Sequence, residues 1–377
     1  MTGSAAWRPT RAEVDLECIR HNVGIFVGLV SPGCQVMAIV KADGYGHGAV
    51  ETARAALQAG ASRLGVALVE EGEALRAAGI TAPIHLLFEP PPDAAARVAE
   101  LDLIPSVYTS AYAHALSRAA TASGKGLKLH IKVDTGMHRV GVEPGKAAPL
   151  AAEAASLPHL EVEGIYTHLA NASVPGDPFT LRQWEIFQGV LREVEGRGIK
   201  APLRHAAASG AALSFPQSRL GMIRLGIAMY GLLPGSGYRG CIDLHPALAL
   251  KTHVSHVFRA CEEEGVSYGL TYRCKHDTWI AVLPIGYADG LPRALSNRWE
   301  VLIAGKHYPL VGTVCMDLCM VDLGEDVREP GEEVTVIGGY GAEEWGAERA
   351  AEVLGTINYE VICGIGKRVP RVYLNRL

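Results

Sequence analysis

The chain has 377 residues, 49% hydrophobic and 20% charged, which leaves ample material for a core and excludes a disordered protein. Thirty-five basic against forty acidic residues give a formal charge of -5, and no block of basic residues forms the stripe that a nucleic-acid binder needs. No apolar run approaches the roughly 18 residues of a spanning helix, so no membrane role is expected. Met1 to Asp15 carries Arg8 and Arg11 with no apolar segment behind them, which argues against a signal peptide.

In chain order, eight short apolar runs alternate with helical stretches between residues 13 and 230: Val36–Val40, Leu64–Leu68, Ile84–Phe88, Leu103–Val107, Leu127–Val133, Val162–Tyr166, Leu203–Ala208 and Met222–Leu225. The clearest helix spans 177–198. Asp177 suits its N-cap and Pro178 its first turn, Leu181, Trp184, Phe187, Leu191 and Val194 recur at helical spacing, and Gly196 and Gly198 suit its end. This alternation predicts an α/β fold, a TIM-type (β/α)8 barrel over 13–243. A doubly wound open sheet is the alternative, but no GxGxxG opens the first unit. After Gly231 the pattern breaks, and 244–377 reads as a mainly antiparallel β domain which 1–12 could join. Its predicted strands are Trp279–Ile285, Glu300–Ile303, Tyr308–Val314, Met320–Leu323 and Glu333–Ile337, with a hairpin connection at 304–307. The eight cysteines lack CxxC spacing and read as reduced thiols in a cytoplasmic protein, with no metal expected.

Barrel enzymes place their chemistry just past the C-terminal ends of the strands. The first predicted strand runs directly into Lys41-Ala42-Asp43-Gly44-Tyr45-Gly46-His47-Gly48. A lone loop lysine would be a solvated cation. Three glycines within the next seven positions would let backbone approach a ligand closely, and a lysine amine in such a place is a usual covalent anchor. The segment Val40 to Gly48 resembles the pyridoxal-phosphate attachment signature of bacterial alanine racemases. Lys132-Val133-Asp134-Thr135-Gly136-Met137-His138-Arg139 also resembles that family, as do Tyr166-Thr167-His168, His205 to Gly210 and Arg224-Leu225-Gly226-Ile227. In the β domain the matches are Val266 to Gly269, Ile285 to Gly290, Cys315-Met316-Asp317, Ile357 to Glu360 and Arg368 to Arg371.

The resemblance implies pyridoxal 5'-phosphate bound to Lys41, with its phosphate held by Ser209, Gly226, Ile227, Tyr45 and Tyr359. It implies Arg224 at the pyridine nitrogen, Arg139 at the phenolic oxygen and His168 near the ring. Two bases would interconvert L- and D-alanine, Lys41 on one face and Tyr268 on the other. Arg139, Met316 and Asp317 would belong to the substrate site, with Tyr287 and Tyr359 narrowing its entrance. Lys132 stands where the family often carries a carbamate. The resemblance further implies a homodimer with shared active sites, Tyr268 and Met316 coming from the partner, and a supply of D-alanine for peptidoglycan in cell walls.

Three positions depart from the pattern: Ser173 and Thr313 where aspartate and arginine are common, and Ala208 where asparagine is common. They bear on the entrance and on strict alanine preference. Other readings are a serine-preferring racemase, which Tyr359 disfavours, a basic-amino-acid decarboxylase, which Arg224 disfavours, and a non-catalytic pyridoxal-phosphate-binding protein, which would have no use for Tyr268.

Overall fold

The eight apolar runs of the first half form eight parallel strands. The structure is a computed structural model that describes residues 7–341 and 345–376; residues 1–6, 342–344 and 377, which fall within the limits read for the second domain, lie outside them. In chain order β1 is Arg11–Asp15, and the barrel strands are β2 Gln35–Ile39, β3 Arg63–Val66, β4 Ile84–Leu86, β5 Leu103–Val107, β6 Leu127–Lys132, β7 Leu160–Tyr166, β8 Leu203–His205 and β9 Met222–Leu225. They pair in the order β8-β7-β6-β5-β4-β3-β2-β9. A bridge between Ala208 and Arg224 closes the ring, with Arg224 N–H donating to Ala207 O at 3.0 Å. Parallel strands covered on both faces read as continuous apolar runs, and β3, β4, β5 and β9 are buried at every position.

The helix predicted at 177–198 spans Pro178–Gly196. Asp177 caps it by accepting the N–H groups of Phe179 and Thr180, at 3.0 and 3.2 Å. Gly198 takes the left-handed φ of 72° just beyond. Trp184, Phe187, Leu191 and Val194 are buried, but Leu181 is exposed: it sits in the first turn, outside the stripe that Gln183 and Val190 share with them.

The second compact unit comprises the described residues up to Cys18, the segment Tyr45–Gly48 and the chain from His245 onward. Its strands are β1 with β10 Leu248–His253, β11 His256–Ala260, β12 Gly265–Val266, β13 Tyr272–Arg273, β14 Thr278–Leu283, β15 Glu300–Ile303, β16 Lys306–Val311, β17 Cys319–Gly324, β18 Glu333–Ile337 and β19 Arg371–Leu374. Nine of them form one sheet, in the order β11-β14-β17-β16-β15-β18-β10-β1-β19, antiparallel throughout except for β1 with β19. The predicted connection at 304–307 is tighter than expected. Ala304 and Gly305 alone form the turn, with φ of 48° and 79°, and Lys306 already pairs with Ile303. Short helices at Ala347–Leu354 and Asn358–Cys363 also belong to this unit.

Candidate active site

Lys41 follows β2 after Val40 and opens a left-handed turn, with φ of 52°, 51° and 62° at Ala42, Asp43 and Gly44. Such a conformation costs roughly 1–2 kcal/mol at each non-glycine residue, and side chains bound to its backbone hold it. Glu71 Oε1 accepts the Ala42 N–H at 2.6 Å, and Asp43 Oδ1 accepts that of Ala49 at 2.9 Å. The other oxygen of Glu71 accepts the N–H groups of Ala67 and Leu68. One carboxylate thereby ties the ends of β2 and β3 together. Sequence reasoning missed Glu71, which looks like an ordinary acidic residue in a first helical turn.

The glycines after Lys41 need a corrected explanation. A Cβ on Gly46 would lie 2.4 Å from Ile362 O, and one on Gly48 would lie 1.9 Å from the Tyr373 hydroxyl. What approaches these glycines is the chain's own C-terminal segment, and Arg371 Nε also donates to Gly46 O at 2.8 Å.

Four basic side chains gather at the barrel mouth. Lys41, Lys132 and Arg139 surround the ring of Phe88, at 5.8, 4.8 and 5.7 Å from its centroid, and Arg224 lies 5.2 Å from that of Tyr166. Phe88 was likewise not singled out in the sequence. Lys132 is buried and donates to Leu87 O at 2.9 Å. Burial first, then the charges of Arg139, Arg224 and Lys41, lower its amine to about 7. Burial and the same neighbours push His168 well below its ordinary range, so its imidazole is neutral.

Arg224 is buried, and burial lowers it to about 10, which still leaves it charged at neutral pH. Its Nη2 donates to Thr167 O, Ala206 O and His168 Nδ1, at 2.9, 2.9 and 3.0 Å, and its Nη1 to His205 Nδ1 at 2.9 Å. Ser209 begins the short helix Ser209–Ser214 after β8, and its hydroxyl accepts the N–H of Gly226 at 3.1 Å, next to Ile227. Of the departures, Ala208 supplies the bridge that closes the barrel. Ser173 sets its backbone against Gly235, where a Cβ would lie 2.5 Å from Ser173 O.

The remaining candidates lie in the β unit. Tyr45 and Tyr359 face each other with ring centroids 5.9 Å apart, and burial raises the Tyr359 phenol to about 12. Tyr268 is 74% exposed at the tip of the β12–β13 hairpin, where Ser267, Gly269 and Leu270 all have positive φ. Thr313 holds this tip: its hydroxyl donates to Tyr268 O at 2.8 Å, while Ser267 Oγ donates to Thr313 O at 2.6 Å. Thr313→Val removes one such bond at a buried site. Amide exchange at Leu270 is expected to quicken about fivefold, as the loss of roughly 1 kcal/mol implies, and an unchanged rate would show that the tip does not depend on Thr313.

Tyr287 and Ala288 donate their N–H groups to Cys315 O and Met316 O, each at 3.0 Å, and Gly286 leaves no room for a Cβ against those same carbonyls. Asp289, fully buried, accepts Arg8 at 2.6 and 3.1 Å and Arg368 at 2.8 Å. Arg368 also pairs with Asp317 at 2.6 Å.

A parallel barrel that delivers a lysine amine into a cluster of basic side chains beside a neutral histidine has the form of a barrel enzyme with its site at the strand ends. Family models for the N- and C-terminal domains of alanine racemase match residues 14–234 and 247–373. The alanine racemase of Desulfovibrio desulfuricans is 44% identical over 97% of this chain and 98% of its own length; that of Symbiobacterium thermophilum is 45% identical over 97% of each. Among solved structures, alanine racemase from D-cycloserine producing Streptomyces lavendulae superposes with a TM-score of 0.93 at 38% identity, covering 99% of both chains. The Bacillus anthracis alanine racemase with bound L-Ala-P gives 0.93 at 38% identity over 99% of this chain and 96% of that one. The chain belongs to the alanine racemase family and is an isomerase.

Proposed function

We propose that the protein interconverts L- and D-alanine with pyridoxal 5'-phosphate held in the barrel mouth. The observation that carries this reading is the donor set around Phe88 and Tyr166. One lysine amine at a strand end, the two guanidinium groups of Arg139 and Arg224 and the Ser209–Gly226 pair suit a phosphorylated aldehyde far better than a cationic or apolar ligand. Lys41 would attach it, and Ser209, Gly226, Ile227, Tyr45 and Tyr359 would hold its phosphate. Arg224 would face the ring nitrogen and Arg139 the phenolic oxygen. When bound, this cofactor supplies the electron-withdrawing ring that acidifies the Cα proton of an amino acid.

The protein's own groups then move protons. Lys41 takes or returns the proton on one face, that of D-alanine, and Tyr268 does so on the face of L-alanine. A tyrosine hydroxyl ordinarily titrates near 10, so it needs a donor to its anionic form. His168 is neutral and accepts from Arg224 on Nδ1, which leaves its Nε2–H free for that task. Arg224 stays charged and gives up no proton, so it would leave the ring nitrogen of a bound cofactor largely unprotonated and would suppress side reactions that need a stronger electron sink. Arg139, the Met316 N–H and Asp317 serve the substrate end, and Tyr287 with Tyr359 keeps the pocket small enough to favour alanine over serine.

Exposure supports a homodimer with shared sites. Tyr268, Leu270, Met316 and Ile357 are each more than half exposed in the single chain, at 74, 52, 53 and 60%. Exposure of Tyr268 and Met316, the residues read as entering the partner's site, suits such an interface. We place the enzyme in the cytoplasm, supplying D-alanine for peptidoglycan. All eight cysteines are free thiols, and no helix of the described residues is long and apolar enough to cross a membrane.

Lys132 fits carbamylation. An amine lowered to about 7 is substantially neutral at physiological pH and can add CO2, releasing one proton and leaving an anion within reach of Arg139. A carbamate carbon is expected in protein equilibrated with 13C-bicarbonate and absent from Lys132→Ala. The CO2-free chain should gain stability as pH rises from about 7 to 10.5, because over that window the unfolded amine holds a proton that the folded one has lost. Stability flat across the window would sink the assignment of the buried amine.

The whole reading is tested by the absorbance of the purified protein with and without borohydride, by polarimetry on L-alanine, and by comparing kcat/KM for alanine and serine. A visible cofactor band removed by borohydride, loss of optical rotation and a higher value for alanine are expected. Absence of the band would overturn it.

A further inference from the structure

Barrel interiors are usually filled by branched apolar side chains, yet this one carries a file of polar rings. His85, His130 and His205 are closed to solvent. Ring centroids lie 4.3 Å apart for His85 and His130, and 5.1 Å for His130 and His205. Hydrogen bonds join part of the file into one path. Arg224 Nη1 meets His205 Nδ1 at 2.9 Å, His205 Nε2 meets His130 Nδ1 at 2.9 Å, and His130 Nε2 meets Glu163 Oε2 at 3.1 Å. At the far end Arg63 forks onto both oxygens of Glu163, at 2.7 and 2.9 Å, and Lys128 adds a third contact at 2.9 Å. Arg63 and Lys128 stand at the N-terminal ends of β3 and β6, opposite the end that carries Lys41.

Donor chemistry sets the direction of every bond in this path. A guanidinium only donates, so His205 Nδ1 accepts and its proton sits on Nε2. That N–H donates to His130 Nδ1, whose own proton sits on Nε2 and is donated to the carboxylate. Burial presses both imidazoles toward the neutral form. Burial also pushes the Glu163 carboxyl upward, but bonds from His130, Arg63 and Lys128 outweigh it and hold the group well below the usual carboxylate range. The guanidinium of Arg224 has no carboxylate of its own among the described residues; its bonds go to carbonyls and imidazoles.

We propose that Glu163 is a positioning residue for Arg224, acting through His130 and His205 to impose one order of protons on the path and so hold the guanidinium charged and in one orientation. The inference rests on the reading of Arg224 as the partner of the cofactor's ring nitrogen. An amide in place of Glu163 donates as well as accepts and carries no charge, so the anion is lost and the order of protons is left to be fixed from the Arg224 end alone. The other groups facing the path are Arg63, Lys128, His85, Tyr166 and Arg224 itself. His85 packs on the file without joining it, since neither of its ring nitrogens has a hydrogen-bond partner among the described residues.

The test combines ring-nitrogen NMR of the 15N-histidine-labelled holoenzyme with the kinetics of Glu163→Gln and Glu163→Asp. In the unsubstituted enzyme His130 and His205 are expected neutral, each with its proton on Nε2, across the neutral pH range. Either ring found charged, or protonated on Nδ1 instead, overturns the proposal, and this arm needs no variant to fold. Glu163→Gln is expected to mix the tautomers, lower kcat about tenfold in both directions with KM little changed, and shift both the pH profile and the cofactor absorbance; Glu163→Asp should restore most of each. Unmixed tautomers with unchanged kinetics overturn the role of Glu163 alone. Mixed tautomers with an unaltered pH profile and spectrum overturn the placement of Arg224 at the cofactor, and the role of Glu163 with it.

Discussion

Lys41→Met is expected to abolish racemisation, with a loss of at least about 10⁴-fold, the upper end of what one acid–base group contributes, together with the borohydride-sensitive visible band. The side chain would keep its length beside Phe88, where the Lys41 amine lies 5.8 Å from the ring centroid. The turn it opens is held by backbone bonds to Glu71 and Asp43, which the substitution does not touch. The turn itself should therefore survive the substitution. Phosphate held by Ser209 and its neighbours should still retain some cofactor. A variant that keeps its band or its turnover would remove Lys41 from the mechanism.

Tyr268→Phe removes a single hydroxyl from a side chain that is 74% exposed in the chain. It should leave Tm and the lysine-linked band unchanged while racemisation falls by about 10²–10⁴-fold. The informative measurement is asymmetry. Exchange of the Cα proton of D-alanine with solvent deuterium should persist, because Lys41 serves that face, whereas exchange from L-alanine should all but stop. Equal losses on the two faces would contradict the division of labour between the bases.

The barrel was legible in the sequence because its strands are buried on both faces, which turns each into an unbroken apolar run such as Leu103–Val107. The site residues at the strand ends were legible for a related reason: a charged or hydroxylated residue that stops an apolar run, as Lys41 and Ser209 do, has to face the mouth. Residues whose work depends on distant partners were not. Glu163 sits inside β7 and its guanidinium partner lies 100 positions away in Arg63, so no local pattern marks the pair. Glu71 reads as a helix-start acid until the left-handed turn it stabilises is seen. Thr313 reads only as a missing arginine until its hydroxyl is found on the Tyr268 carbonyl. Leu181 fits the helical period but falls outside the buried stripe, because periodicity fixes the angle between residues and not which face packs inward.

The lysine loop is locked by residues far along the chain. Gly46 accepts a hydrogen bond from Arg371, 325 positions later, and Gly48 lies against the Tyr373 hydroxyl. During synthesis the barrel strands leave the ribosome well before those residues exist. The stretch just after Lys41 must therefore wait for partners that are made some 325 positions later. A polypeptide that stops short of Arg371 and Tyr373 can assemble strands but lacks the groups that lock this stretch.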